Sequence, residues 1–267
     1  MACIEARKGP IPAATYMRFS FLFNGRELDD VPCALSLHRA GSMAVTDTAL
    51  NAERNALLLQ LDLTPQAFFA CRQTHSRVVQ CPDPDGRRQL YDADGLAGRA
   101  PALLSVTVAD CLPVFLYDTV HHVYAVCHSG WKGTGIAINA LSVMNKQYGT
   151  RPRDVAALLG PCLQRCCFRV DKERAMIYQN EFGCLGGEYP VGKPVYELCN
   201  EQGEQEYYLD MQAANIKLLV DSGVMNIVYH TNCTYMSDNL GSFRREGTHF
   251  TKMMALIGGI YGGRPNG

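Results

Sequence analysis

Three apolar, strand-like runs follow one another at 102–109, 113–117 and 122–128, with connections too short to hold a crossover helix. That succession predicts antiparallel pairing among the three. It favours an α+β fold of mixed β-sheets flanked by helices over a regular doubly wound sheet. Further strands are expected at 67–72, 155–159 and 225–229, and apolar positions recur at helical spacing over 48–61, 134–147, 171–180 and 206–221. No composition break divides the 267 residues, so one domain spanning 1–267 is expected, with loose ends at 1–13 and 261–267, where Pro, Gly and charge accumulate.

Hydrophobic residues make up 47% of the chain, enough to bury a large core. The formal net charge of -1 offers nothing to hold a phosphate backbone or an anionic membrane, so neither nucleic acid nor lipid is an expected partner. The first residues lack the apolar core of an export signal, and no later apolar run reaches the ~18 residues a membrane span needs. A soluble, cytoplasmic monomer is the expectation. In that compartment the twelve cysteines stay reduced and serve as small apolar residues, metal ligands or nucleophiles. Cys3, Cys33, Cys71, Cys81, Cys127, Cys184 and Cys199 sit singly and read as packing.

Chemistry-bearing residues concentrate at strand ends. Ser105-Val-Thr-Val-Ala-Asp-Cys-Leu-Pro interrupts an apolar strand with Asp110 and Cys111, then with Pro113, which cannot donate to a ladder. Val123-Tyr-Ala-Val-Cys-His-Ser-Gly-Trp-Lys-Gly-Thr runs from a strand into His128 and a glycine turn that opens a helix near Thr134. Upstream, Gln73 and His75 follow another strand. Two imidazoles and a thiolate, His75, Cys111 and His128, form a zinc-type donor set with an open fourth position, the catalytic pattern. One thiolate leaves about one positive charge, which acidifies a bound water. Candidate catalytic residues are therefore Asp110, Cys111 and His128, with Asp110 either a proton carrier or the cap of a turn.

The segments Gln73-Thr-His75, Val108-Ala-Asp-Cys-Leu-Pro-Val, His128-Ser-Gly-Trp-Lys-Gly and Gly160-Pro-Cys-Leu-Gln-Arg-Cys-Cys-Phe-Arg-Val together resemble the laccase-domain family, also called polyphenol oxidase or YfiH-type proteins. Weaker echoes lie at His38-Arg-Ala-Gly, Glu53-Arg54, Asp92-Ala-Asp-Gly-Leu, Cys233-Thr-Tyr and Ser242-Phe-Arg-Arg-Glu-Gly. The resemblance implies a zinc site at His75, Cys111 and His128. It also implies phosphorolysis of adenosine, inosine, guanosine and methylthioadenosine, and deamination of adenosine. The implied fold is of the CNF-toxin/YfiH-like, cysteine-hydrolase type. The family's usual Tyr-Glu after the double cysteine reads Phe168-Arg169 here, so the role of that acid is not carried over.

Phosphorolysis needs an anion site; Arg39, Arg54 and Arg244 are the candidates among the arginines, with Gln73 as a further substrate-facing residue. Trp131 offers a face on which a purine can stack. Two other functions compete. Bacterial relatives in the family are also described as hydrolases that edit peptidoglycan precursors, for which Cys111 would be a nucleophile with a histidine base. The older family label is a copper-dependent laccase. One His₂Cys site accepts a single copper ion (Cu²⁺) as readily as Zn²⁺, but seven histidines with no His-x-His pair cannot build a multicopper centre. Cys162, Cys166 and Cys167 fit no common zinc-finger spacing and read as a turn beneath the site, with Cys233 lining it.

Overall fold

The computed structural model describes residues 2–46, 48–63, 67–83 and 89–259. The long central strands are apolar along most of their length because both of their faces are covered. In β11 (Leu112–Asp118), Val114 and Leu116 point to one core and Phe115 and Tyr117 to another, as the two-residue period of a strand requires. The same division runs through β12 (Val123–Ser129) and β13 (Val155–Leu159). These strands form the middle of a seven-stranded sheet whose order is β1 (Cys3–Arg7), β17 (Asn226–His230), β13, β11, β12, β9 (Gly95–Arg99) and β7 (Val79–Gln80).

A six-stranded sheet packs face to face on it, in the order β2 (Tyr16–Arg18), β5 (Cys33–Ser36), β18 (Met253–Gly258), β10 (Leu103–Val108), β6 (Phe68–Arg72) and β8 (Leu90–Asp92). Both sheets mix parallel and antiparallel pairs. Leu104, Val106, Phe69 and Ile257 of the second sheet meet Phe115, Val126 and Leu158 of the first in a shared core. On the outer face of the first sheet lie helices α2 (Ile136–Tyr148), α3 (Lys172–Phe182) and α4 (Met211–Asp221); α1 (Ala52–Gln60) covers the outer face of the second through Leu57 and Leu58. The layers thus run helix, sheet, sheet, helix. Each fully buried Leu, Val or Phe in them contributes about 1.5–3 kcal/mol. Small additions are the hairpin of β3 (Phe21–Phe23) with β4 (Arg26–Leu28), and a three-stranded sheet of β14 (Arg169–Val170), β16 (Gln205–Leu209) and β15 (Val195–Cys199).

Several expectations are corrected. The run 102–109 does not pair with 113–117: β10 belongs to the second sheet, and the bend at Asp110 (φ 84°) and Cys111 carries the chain across to the first. The start of the chain is not a loose end throughout, since Cys3–Arg7 closes the first sheet by parallel pairing with β17; residues 261–267 lie outside the described residues. The helix expected over 206–221 begins only at Met211, where the Asp210 carboxylate accepts from the Ala213 N–H and caps it. Asn51 and Asp171 cap α1 and α3 in the same way, which delays the first helix from 48 to 52. No helix among the described residues is long and apolar enough to cross a membrane.

Candidate metal centre

The crossing between the two sheets brings together the three donors. His75 follows β6, Cys111 sits on the crossing itself, and His128 is near the end of β12. Their ligand atoms all lie within 4.8 Å of one another. The two imidazole rings meet edge to face, with centroids 4.9 Å apart. Gly130 makes the approach feasible: a Cβ there would lie 3.1 Å from Cys111 Sγ and 3.3 Å from His75 Cδ2.

Asp94, fully buried at the start of β9, organises this group. Its carboxylate accepts from the backbone N–H groups of Thr74, His75 and Ser76 and from the Ser76 hydroxyl, fixing the loop that carries His75 in its left-handed conformation (φ 60°). The same carboxylate accepts from His128 Nδ1–H at 2.9 Å, which leaves Nε2 as the free donor atom of that ring. Burial alone would raise the Asp94 pKa, but the hydrogen bonds from His128 and Ser76 and the His128 charge hold it well below the carboxylate range. Burial would likewise raise the Cys111 thiol. The charge of His128 and the hydrogen bonds from His128 and His75 overcome that and bring it down to about 7. The His128 imidazole moves up to about 9: Cys111 and Asp94 outweigh the burial that disfavours its charge.

This donor set suits zinc or copper. A tetrahedral centre with ligand bonds near 2.0–2.3 Å needs donor separations of about 3.3–3.8 Å, within reach of small rotations here. The triad opens into a cleft of about 470 Å³. Trp131, Phe168, Phe243 and Phe250 supply aromatic walls, and Arg174, Arg244 and Lys252 supply cations. The Arg174 guanidinium lies 4.9 Å over the Trp131 ring.

Asp110 also faces the cleft and is tied at both oxygens: Thr234 Oγ1 donates to Oδ1 at 2.6 Å and the Arg244 N–H to Oδ2 at 2.7 Å. Gln73 lines the cleft, yet its amide is engaged with Thr107, accepting from its N–H and hydroxyl and donating to its carbonyl. Arg244 borders the cleft as expected, with its guanidinium donating to the Arg169 carbonyl. The other two arginines are not brought to the cleft. Arg39 is exposed and donates to the Ala13 carbonyl. Arg54 is buried between α1 and Phe68, where the carbonyls of Met43 and Ala49 take up its donors; its role is to satisfy those groups. Arg169, at the family's acid position, pairs with Glu206 at 2.7 Å. Asp94, Arg174 and Lys252 were not singled out from the sequence. Of these only Asp94 had a signal, lying within Asp92-Ala-Asp-Gly-Leu.

The architecture is a two-sheet sandwich with a His₂Cys group of metal-ligand type at the crossing, opening into an aromatic and cationic cleft. The family model described as multi-copper polyphenol oxidoreductase laccase matches residues 38–259, and the chain belongs to that family. Purine nucleoside phosphorylase YlmD of Bacillus subtilis (strain 168) is 30% identical over 226 residues, 79% of this chain and 77% of that protein. A purine nucleoside phosphorylase of Bacteroides thetaiotaomicron is 29% identical over 227 residues, 79% of this chain and 81% of the relative. The crystal structure of YlmD from Geobacillus stearothermophilus shares the fold with a TM-score of 0.77 at 22% identity, covering 93% of this chain and 97% of that one.

Proposed function

We propose that this chain is a zinc-dependent purine nucleoside phosphorylase acting on adenosine, inosine, guanosine and methylthioadenosine, in a cytoplasmic setting where its thiols stay reduced. The observation that carries the proposal is the meeting of three chemistries in one cleft: His75, Cys111 and His128 as donors, aromatic faces, and cationic side chains. The cleft volume suits a nucleoside. The names borne by the relatives support the same substrate class.

In this reading the purine stacks against Trp131 or Phe168, and Arg244, Lys252 and Arg174 hold inorganic phosphate. Fixing the phosphate oxygen against C1′ makes the attack intramolecular in effect, and the cations offset the charge that moves onto the leaving purine. His75, Cys111 and His128 would hold the zinc ion, which when bound supplies a Lewis acid of about one net positive charge. Asp94 keeps His128 in the tautomer whose Nε2 is free.

Deamination of adenosine to inosine is the second activity proposed for this cleft, favoured by the position of Asp110 beside Cys111 and facing the cavity. Each Asp110 oxygen accepts one hydrogen bond and keeps a further lone pair, so the carboxylate can take a proton from the water that adds to C6 of the purine and pass it to the ammonia that departs as the C6–N bond breaks.

The test is incubation of metal-analysed protein with adenosine, with and without phosphate, and separation of the products. Adenine and ribose-1-phosphate formed only with phosphate support phosphorolysis, and inosine in both arms supports deamination. Inactivity on every nucleoside, with cleavage of a muramyl peptide or oxidation of a phenol by a copper-loaded sample, overturns the reading.

A further inference from the structure

A second group of sulfur atoms converges outside the cleft. β13 and β17 are parallel neighbours in the seven-stranded sheet, so the segments leaving their C-terminal ends run side by side. The backbones of Cys162 and Cys233 form an isolated parallel β-bridge between them, both thiols being free, and the Thr234 N–H donates to the Cys162 carbonyl at 3.0 Å. This brings Cys233 up to Cys166 and Cys167. Cys166 Sγ and Cys167 Sγ are 3.4 Å apart, and the sulfurs of Cys166, Cys167 and Cys233 all lie within 4.8 Å of one another. The spacing of Cys162, Cys166 and Cys167 reads as a turn beneath the site with Cys233 lining it; only the fold brings Cys233, distant in sequence, to Cys166 and Cys167.

Packing accounts for only part of the group: Cys233 and Cys167 lie against the core of the first sheet, and Cys166 does not. Cys71 and Cys127 behave as core residues and are fully enclosed, whereas Cys166 is exposed, Cys167 half-buried and only Cys233 buried. Disulfide geometry is unfavourable for the adjacent pair, since Cα atoms joined by one trans peptide are about 3.8 Å apart, below the usual disulfide range. Three sulfurs bonded to one ion at about 2.3 Å sit about 3.8–4.0 Å from each other, a small adjustment from the observed grouping. The solvent side provides both an entry path and room for a water ligand.

We propose that Cys166, Cys167 and Cys233 form a second, all-thiolate site for a soft closed-shell cation, Cu(I) or Zn²⁺, separate from the His75, Cys111 and His128 centre. Thiolate sulfur selects these ions over harder ones. Loading replaces three S–H bonds by three metal–sulfur bonds and releases three protons to solvent. The site backs onto the cleft wall: Leu163 donates its N–H to the Asp110 carbonyl, Thr234 donates to the Asp110 carboxylate, and Phe168 faces the cavity.

The test uses the reduced full chain under anaerobic conditions, with Cd²⁺ as the probe and the sulfur-to-cadmium charge-transfer absorbance as the readout. The parent should take up two ions, one at each centre. Three of the four sulfur–cadmium bonds belong to the new site, so Cys166→Ser/Cys167→Ser should lose one ion and about three quarters of the absorbance, while Cys111→Ser keeps about three quarters. Cys166→Ser alone, at an exposed position, should already weaken uptake while the circular dichroism spectrum stays native. Displacement of this cadmium by Zn²⁺ but not by buffered Cu(I) assigns zinc, and the reverse assigns copper. The proposal is overturned if the parent takes up one ion whose absorbance vanishes in Cys111→Ser and persists in Cys166→Ser/Cys167→Ser. A native thiol count lower by two, with no cadmium bound at these cysteines, overturns it in favour of a disulfide.

Discussion

Asp94 joins two of the three proposed ligands through one carboxylate, holding the His75 loop by its backbone and His128 by its ring. Asp94→Asn puts an NH₂ where an acceptor is needed, against a backbone N–H or against His128 Nδ1–H. Zinc affinity, read by competition with a chromophoric chelator, should fall about 10–100-fold, the usual worth of such an outer partner. His230 gives a residue-scale prediction away from the cleft. Burial, aided by the Arg7 charge, lowers its pKa to about 4 from an ordinary 6.5. Between those values the unfolded chain takes up a proton that the folded chain refuses, so acid favours unfolding. Stability should drop by up to about 3 kcal/mol more in the parent than in His230→Gln as pH falls from 6.5 to 4, measured by urea unfolding. At this scale His75, Cys111 and His128 were legible as candidates from their places at or just after strand ends together with the family resemblance, and the fold brings their ligand atoms within 4.8 Å of one another. It misled at Arg54, whose burial among carbonyls depends on a loop that no local pattern announces. It was silent on Arg174 and Lys252, which reach the cleft from elements far from the motifs.

Among the elements, the bend between β10 and β11 matters most, because it switches sheets and presents Asp110 and Cys111 together. Asp110 ties that bend to the Thr234 loop and to the first turn of α5 (Phe243–Glu246). In Asp110→Asn the amide oxygen can still accept from the Arg244 N–H while Thr234 reverses to accept from the amide, so fold and zinc should be kept. Adenosine deamination should fall by roughly a hundredfold or more, the worth of a positioned proton carrier. A rate near that of the parent with a lowered melting temperature would make Asp110 a cap alone. Cys111→Ser should lose the ion of the His75, Cys111 and His128 centre and the activity together. The central strands were legible as unbroken apolar runs because two cores cover them. Their sheet membership was not: a short link reads the same whether the next strand pairs with the last or crosses to another sheet. Strands such as Tyr16–Arg18 and Arg26–Leu28 carry too few apolar residues to stand out.

Across the whole molecule, the three proposed ligands belong to different layers. His75 is attached to the six-stranded sheet, His128 to the seven-stranded sheet and Cys111 to the link between them. Zinc bound there should staple the two sheets, raising the unfolding free energy by about 2.7 kcal/mol when free ion stands at a hundred times its dissociation constant. With Cys166→Ser/Cys167→Ser as the background, calorimetry should show a rise in melting temperature that a chelator reverses and that the further change Cys111→Ser abolishes; an equal rise after that change would place the effect elsewhere. The layering was only partly foreseen, since helix and strand content indicated α+β but nothing local reveals that two sheets share a core. One feature of the topology bears on how the chain is made. β18, nearly the last element, lies at the centre of its sheet, hydrogen-bonded to β5 on one side and β10 on the other. A ribosome delivering about 5–20 residues per second exposes β5 and β10 for many seconds before the strand that joins them emerges. Until β18 emerges the nascent chain carries two unjoined apolar half-sheets, a high-contact-order intermediate of the kind that holding chaperones protect.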